Sequence, residues 1–513
     1  MSPRLSAAAV VLAACAAPSS AVDAGVDAAA PDAGAADVVV EAPDTCADGV
    51  KDGAETDVDC GGGACPSCAD GRACAAKSDC QSLACSAGVC GLRAWFVESN
   101  GSNLLVPGNQ TWVDASSAGL YVAPTLYASS LVYLQWTGTL RFAGGGNDLC
   151  AVGQRFVIDD VPTGDPTWGN SVMVEDGATR WHETFTTATA VQLVSGIHTI
   201  AVQMTNAQNY GDCYLDGDGG LPYDRSRLAV AAYDPKDAVY VESTAQASAI
   251  GTSTFVDIPG VSATLDLAAA RHVQIALSGT ELVQGTSPGV GAGHCAYRLV
   301  VDGAPLGDAT YGQAIAVGDV AAGWWAPVAL DYGQDMTAGT HTISAQLSNA
   351  RTDATCFADY QHQPYAHFRM FVTSSPAGGP STSAESTGGP NILPSNSAWT
   401  DIGLSATFAV SSPTPAQLEM AATERTITGS GHCSWRFVVD GAPLGDPTYG
   451  QAINVGSGAA TWWTTTALLF GEAFDAGSHT VSVQARNSSN TGDCGANGDA
   501  LPYGRARLLV RVP

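Results

Sequence analysis

The sequence predicts an all-β protein of three repeated antiparallel β-sandwich modules, placed after a small disulfide-rich domain and a disordered tether. Three observations carry that reading. Gly and Pro number 58 and 26 among 513 residues, a turn-rich load that disfavours long helices. Six widely spaced cysteines fall into pairs, Cys150/Cys213, Cys295/Cys356 and Cys433/Cys494, separated by 63, 61 and 61 residues. The text around these pairs recurs three times with the alternation of half-buried strands.

The net charge of −28 excludes a class of partners. Nucleic-acid affinity comes largely from Lys and Arg on phosphates, so no nucleic-acid partner is expected. Lys occurs only at Lys51, Lys77 and Lys236, and a basic membrane-binding surface is equally disfavoured.

Residues 1–15 read as an export signal. Arg4 precedes the apolar run Leu5–Leu12, which ends in Leu12-Ala13-Ala14-Cys15. These four residues resemble the lipobox of bacterial lipoproteins. The resemblance implies that Cys15 becomes the lipidated first residue of the mature chain, partnered with outer-membrane lipid. Ala16, where inner-membrane lipoproteins tend to carry Asp, implies the outer membrane of the cell envelope; display at the cell surface is the expectation, and the sequence leaves the periplasmic or outward orientation open. Residues 16–45 lack aromatics and are almost wholly Ala, Asp, Val, Pro, Gly and Ser, which reads as a disordered tether.

Residues 46–90 hold Cys46, Cys60, Cys65, Cys68, Cys74, Cys80, Cys85 and Cys90. So short a domain needs staples, and four disulfides are the favoured reading; the 105 pairings open to eight cysteines leave connectivity unassigned. Zinc is the alternative, through Cys65-Pro-Ser-Cys68. Asp48, Asp52, Asp57 and Asp59 supply hard oxygen atoms for a Ca²⁺ ion, against the plainer reading of a solvated acidic loop. The stretch Cys46–Cys60 resembles a Cys-rich segment of myxobacterial surface lipoproteins, which implies location rather than activity.

The repeat occupies 91–234 and 235–373, then, after a Ser/Gly/Pro-rich linker at 374–390, 391–513. Each copy carries Arg-Φ-Val-Φ-Asp (Φ aliphatic or aromatic; Arg155–Asp159, Arg298–Asp302, Arg436–Asp440) and a Pro-x-Gly-Asp turn block. Each continues with a Gly-x-His-Thr strand (His198, His341, His479) and closes on Pro-Tyr…Arg. The openings Glu98, Glu242 and Glu385 also correspond. Strands at short intervals over about 130 residues suggest a jelly-roll-like sandwich. The pattern resembles the jelly-roll modules of C1q- and TNF-like proteins, which implies that such units can assemble as trimers.

Chemistry is sparse. Gly285-Thr-Ser287-Pro-Gly289 matches the hydrolase G-x-S-x-G pattern, but Pro288 and a Gly-rich setting in one module make it a coincidence. The three His are expected to satisfy backbone groups. The paired Arg residues are expected to bind the recurring Asp. Candidate ligand-stacking aromatics are Trp181, Trp325, Trp463, Tyr223, Tyr365 and Tyr503, with core packing as the competing role. The expected function is therefore a lipid-anchored surface binding or adhesion protein, not an enzyme, that displays its modules to a glycan or protein ligand. A structural spacer or C1q-like assembly unit is the alternative, and an envelope hydrolase stands lowest.

Overall fold

The computed structural model describes residues 45–513 except 70–71, 81–84, 87, 92, 144–148, 177–181, 208–211, 217–220, 252–253, 286–291, 320–323, 352–353, 388–390, 411–412, 429–430, 456–461 and 497–500. The export signal with Cys15, the tether up to residue 44, Trp181 and the Ser287 motif lie outside the described residues. Secondary structure within them is strand and short 3₁₀ turns, and no helix there is long and apolar enough to cross a membrane.

The disulfide-rich segment is closed by Cys46–Cys65, Cys60–Cys68, Cys74–Cys85 and Cys80–Cys90. Its buried cysteines make most of its own small core. Asp79 orders the chain between them, its carboxylate accepting from the backbone N–H groups of Gly62, Ala75 and Ala76.

Each module is a sandwich of two antiparallel sheets. In module 1 the inner sheet is centred on Ser130–Ala143. His182–Leu193 pairs along one edge of that strand, and Arg227–Tyr233 and Asp212–Leu215 share the other. The outer sheet is built on Leu149–Ile158 and Ile200–Asn206. Modules 2 and 3 repeat this plan around Arg271–Gly285 and Thr414–Thr428. Alternation does what the sequence predicts: Ile200, Val202 and Met204 point inward and are fully buried. Each long-range disulfide bolts the outer sheet to the inner one: Cys150–Cys213, Cys295–Cys356 and Cys433–Cys494.

The Pro-x-Gly-Asp block is a tight turn with a clear cause. Asp165 Oδ1 accepts from the N–H groups of Thr167 and Trp168, both at 2.8 Å. Gly164 sits at φ +79°, where a Cβ would lie 2.3 Å from the Gly169 carbonyl oxygen. Only Gly fits there.

The modules are not separate beads. Arg227 of module 1 donates to the Gln451 carbonyl of module 3 at 2.9 Å. Arg507 of module 3 donates to the Gln313 carbonyl of module 2 at 2.8 Å. Arg369 of module 2 donates to the Asn170 carbonyl of module 1 at 2.7 Å. The same bond, made by the same repeat position, runs 1→3→2→1 and closes a ring with threefold pseudosymmetry. Where the central strands meet, a buried polar chain crosses between modules: Gln417 donates to Gln135, Gln135 donates to Glu419, and Glu419 pairs with Arg511. Tyr133 of module 1 stacks on Phe371 of module 2, with ring centroids 4.2 Å apart.

The expected linker at 374–390 is shorter than its composition suggests. Ser374–Pro376 continue the last strand of module 2, and Thr382–Glu385 is the first strand of module 3, paired with Arg507–Val510. Glu385 is required there as the partner of buried Arg507, which overrides the Ser- and Gly-rich composition.

Candidate binding surfaces

The repeated charged residues are absorbed by structure. Arg227, Arg369 and Arg507 are nearly fully buried. Each binds the opening Glu of its own module from Nε (Glu98, Glu242, Glu385 at 2.9, 2.6 and 2.8 Å). Each also donates to the carbonyl of the module's Pro222, Pro364 or Pro502. The partner is Glu rather than the expected Asp, because Glu lies on the strand directly paired with the Arg strand. Arg155, Arg298 and Arg436 likewise bind no Asp. They bond the cross-strand Gln203, Gln346 and Gln484 and lie over Trp112, Phe255 and Trp399 at 3.8, 3.8 and 4.1 Å.

The recurring Asp residues go to the His. His198, His341 and His479 hold Asp159, Asp302 and Asp440 through Nδ1 at 2.7–2.8 Å. Their Nε2 atoms bond the carbonyls of Val194, Thr337 and Asp475. Bonds to Asp302 and to the Thr337 carbonyl hold His341 above its ordinary value, and Asp440 and Asp475 do the same for His479. With both ring nitrogens engaged, these His are turn staples and offer neither a base nor a ligand atom.

The three Tyr expected to stack on ligand are placed in the seams instead. Tyr223 packs on Tyr449 of module 3 and Tyr503 on Tyr311 of module 2, with centroids 4.8 and 4.9 Å apart. Tyr365 meets Trp168 of module 1 at 6.0 Å and its own module's Trp325 at 5.4 Å. Trp325 is half-buried between Tyr360 and Tyr365. Trp463 lies on the strand Trp462–Phe474, opposite Arg425. Burial against a neighbouring module removes the Tyr223 and Tyr503 rings from ligand contact, while Tyr365 stays half-buried beside Trp325.

The acidic loop is not drawn together around an ion. Asp48 accepts from Val50 N–H, Asp59 from Gly49 N–H, and Asp57 from Val58 and Ala73 N–H. The Ala73 and Val58 bonds hold the Asp57 carboxyl below its ordinary value. Asp52 stands with Asp48, Asp57 and Asp59 outside every set of converging donor atoms among the described residues. The Ca²⁺ expectation therefore has no geometry behind it. The zinc alternative fails too, since Cys65 and Cys68 are both in disulfides.

A cleft of about 400 Å³ lies where the modules converge, within the size range of ligand pockets. Arg93, Arg271, Arg511, Asp234 and Asp237 line it, with Tyr233, Val410 and Pro376 as apolar wall. Arg271 is anchored by Asp237 at 2.5 Å and by the Ser374 carbonyl at 2.8 Å. Burial pulls Arg93 below its ordinary value while Asp234 and Asp237 oppose it. Composition gave no hint of this cleft, because its wall is drawn from segments far apart in the chain: the strand Arg271–Gly285, the junctions at 232–237 and 373–381, and the C-terminus.

No family model matches the chain, and no curated protein matches it. Among solved structures, PNGF-II in its C2 space group aligns over 75% of this chain and 98% of its own, at 10% identity and a TM-score of 0.22. An archaeal virus triple jelly-roll protein aligns over 82% and 89%, at 8% and 0.17. The tandem CBM22 domains of Paenibacillus barcinonensis Xyn10C align over 55% and 84%, at 5% and 0.14. Likenesses this weak bear on neither fold nor activity.

Proposed function

We propose that this chain is a non-enzymatic binding head of the bacterial cell surface, held to outer-membrane lipid through Cys15 and presenting one rigid three-module body. The observation that supports a binding role is the cleft at the convergence of the modules, whose paired guanidinium and carboxylate groups suit a polar ligand such as a glycan or a protein segment. Because the modules are locked together, the head carries one composite site rather than three independent weak ones.

The test is capture by the intact chain on glycan and matrix-protein arrays. Arg93→Glu, which reverses one wall of the cleft, should abolish capture, and unchanged capture would defeat the reading. Anchoring is tested by mass spectrometry of the amino terminus and by Cys15→Ser, which should release the protein from the membrane fraction.

A second reading, a rigid spacer or assembly unit, is favoured by the use of Tyr223, Tyr365 and Tyr503 in the seams. It predicts no ligand on any array.

A further inference from the structure

The geometry points to a transition-metal site in module 2 alone, formed by Asp359, His362 and His367, that takes a divalent ion of the Zn²⁺ class. The donor atoms of the three lie within 4.8 Å of one another. His362 Nδ1 is 2.8 Å from Asp359 Oδ2, and His367 Nε2 is 3.7 Å from Asp359 Oδ1. Ligands about 2.0–2.1 Å from a tetrahedral ion stand roughly 3.3 Å apart, so the two separations straddle the value an ion would set. Asp359 is fully buried, and its Oδ1, like His367 Nε2, has no hydrogen-bond partner among the described residues. Two buried polar atoms left facing each other are the expected sign of a missing shared partner.

The repeat supplies internal controls. The position of His367, two residues before the seam Arg, is Arg225 in module 1 and Arg505 in module 3. Both arginines bind the opening Glu of their module, Glu98 and Glu385. His367 also faces its opening Glu, with Nδ1 3.6 Å from Glu242 Oε2, which leaves Nε2 for an ion and supplies the carboxylate that commonly orients a ligating imidazole. Asp359 corresponds to Asp216 and Asn497, yet neither 216–222 nor 497–502 contains a His. Asp216 instead accepts from Ser99 and Ser226.

Two imidazoles and one carboxylate select a borderline ion such as Zn²⁺ over Ca²⁺. The side chain of His362 is 52% exposed, so the ion enters from solvent and a fourth position stays open to water. Asp359, Gln361 and His362 all hold left-handed backbone, at φ +55°, +54° and +51°. An ion would clamp this loop, which leads directly to Tyr365 in the seam with module 1.

The test is calorimetric titration of the chelator-treated intact chain with zinc chloride. One equivalent should bind, raise the melting temperature, and resist equimolar calcium chloride. His362→Ala and His367→Arg should each weaken binding at least tenfold; the second restores the residue of the sister modules, and its metal-free melting temperature should match the parent. Should His367→Arg not fold, the half-exposed His362→Ala carries the test. Absence of zinc binding, three equivalents per chain, or binding unchanged by His362→Ala would overturn the assignment.

Discussion

Arg227 Nη1 lies 2.9 Å from the carbonyl oxygen of Gln451, a residue 224 positions further along the chain. That bond closes a ring that Arg369 and Arg507 make at the other two seams. Each Arg is buried, so its removal strands the carbonyl of the neighbouring module and takes the Nε bond from the opening Glu, which keeps Arg225, His367 or Arg505 beside it. Arg227→Met should cost about 3 kcal/mol of stability, as should Arg369→Met and Arg507→Met. Urea denaturation measures this, and a loss well under 1 kcal/mol in all three would show that the ring is not held by these bonds.

A lone module should fail where the ring succeeds. The fragment Ala238–Pro376 keeps its own core and disulfide. It would expose Phe371 and leave Arg369 without the Asn170 carbonyl. We expect it to aggregate or melt far below the intact chain, which should unfold the three modules in one calorimetric transition. A monomeric fragment as stable as the whole would contradict the interlocked arrangement.

Buried carboxyls set the pH response. Burial pushes Glu281 up to about 8 and Glu424 up to about 7, with Tyr297 bonding the first and Trp435 and Thr466 the second. Between their unfolded values near 4.5 and these raised ones, the native state holds protons that the unfolded chain has released. Their contribution is therefore complete below about pH 4.5 and is lost as pH rises, toward about 7 for Glu424 and about 8 for Glu281. The raised His341 and His479 act in the same direction above pH 6.5. Melting temperature should fall from about pH 5 to about pH 8, and Glu281→Gln with Glu424→Gln should flatten that slope.

The long-range disulfides should matter for stability. Each closes a loop of about 60 residues, worth roughly 4 kcal/mol on the chain-entropy account. Cys295→Ser with Cys356→Ser should lower stability by about that amount in denaturant. A negligible change would mean that residual structure already restrains the unfolded chain without the cross-link.

Strand content, the three repeats and the three long-range cysteine pairings were legible in the sequence, because alternation, turn residues and cysteine spacing are local or periodic signals. His198, His341 and His479 also read correctly as satisfying backbone groups, since a Gly turn before a strand places the ring beside its own turn. The destinations of Tyr223, Tyr365 and Tyr503 were not legible. A buried ring reads alike whether its neighbour is ligand, core or another module, and only the closure of the ring decides which. The same holds for Glu385, hidden in linker-like composition, and for Arg93, whose cleft exists only where distant segments converge. Local chemistry wrote the modules; contacts between residues hundreds of positions apart decided that the three form one body.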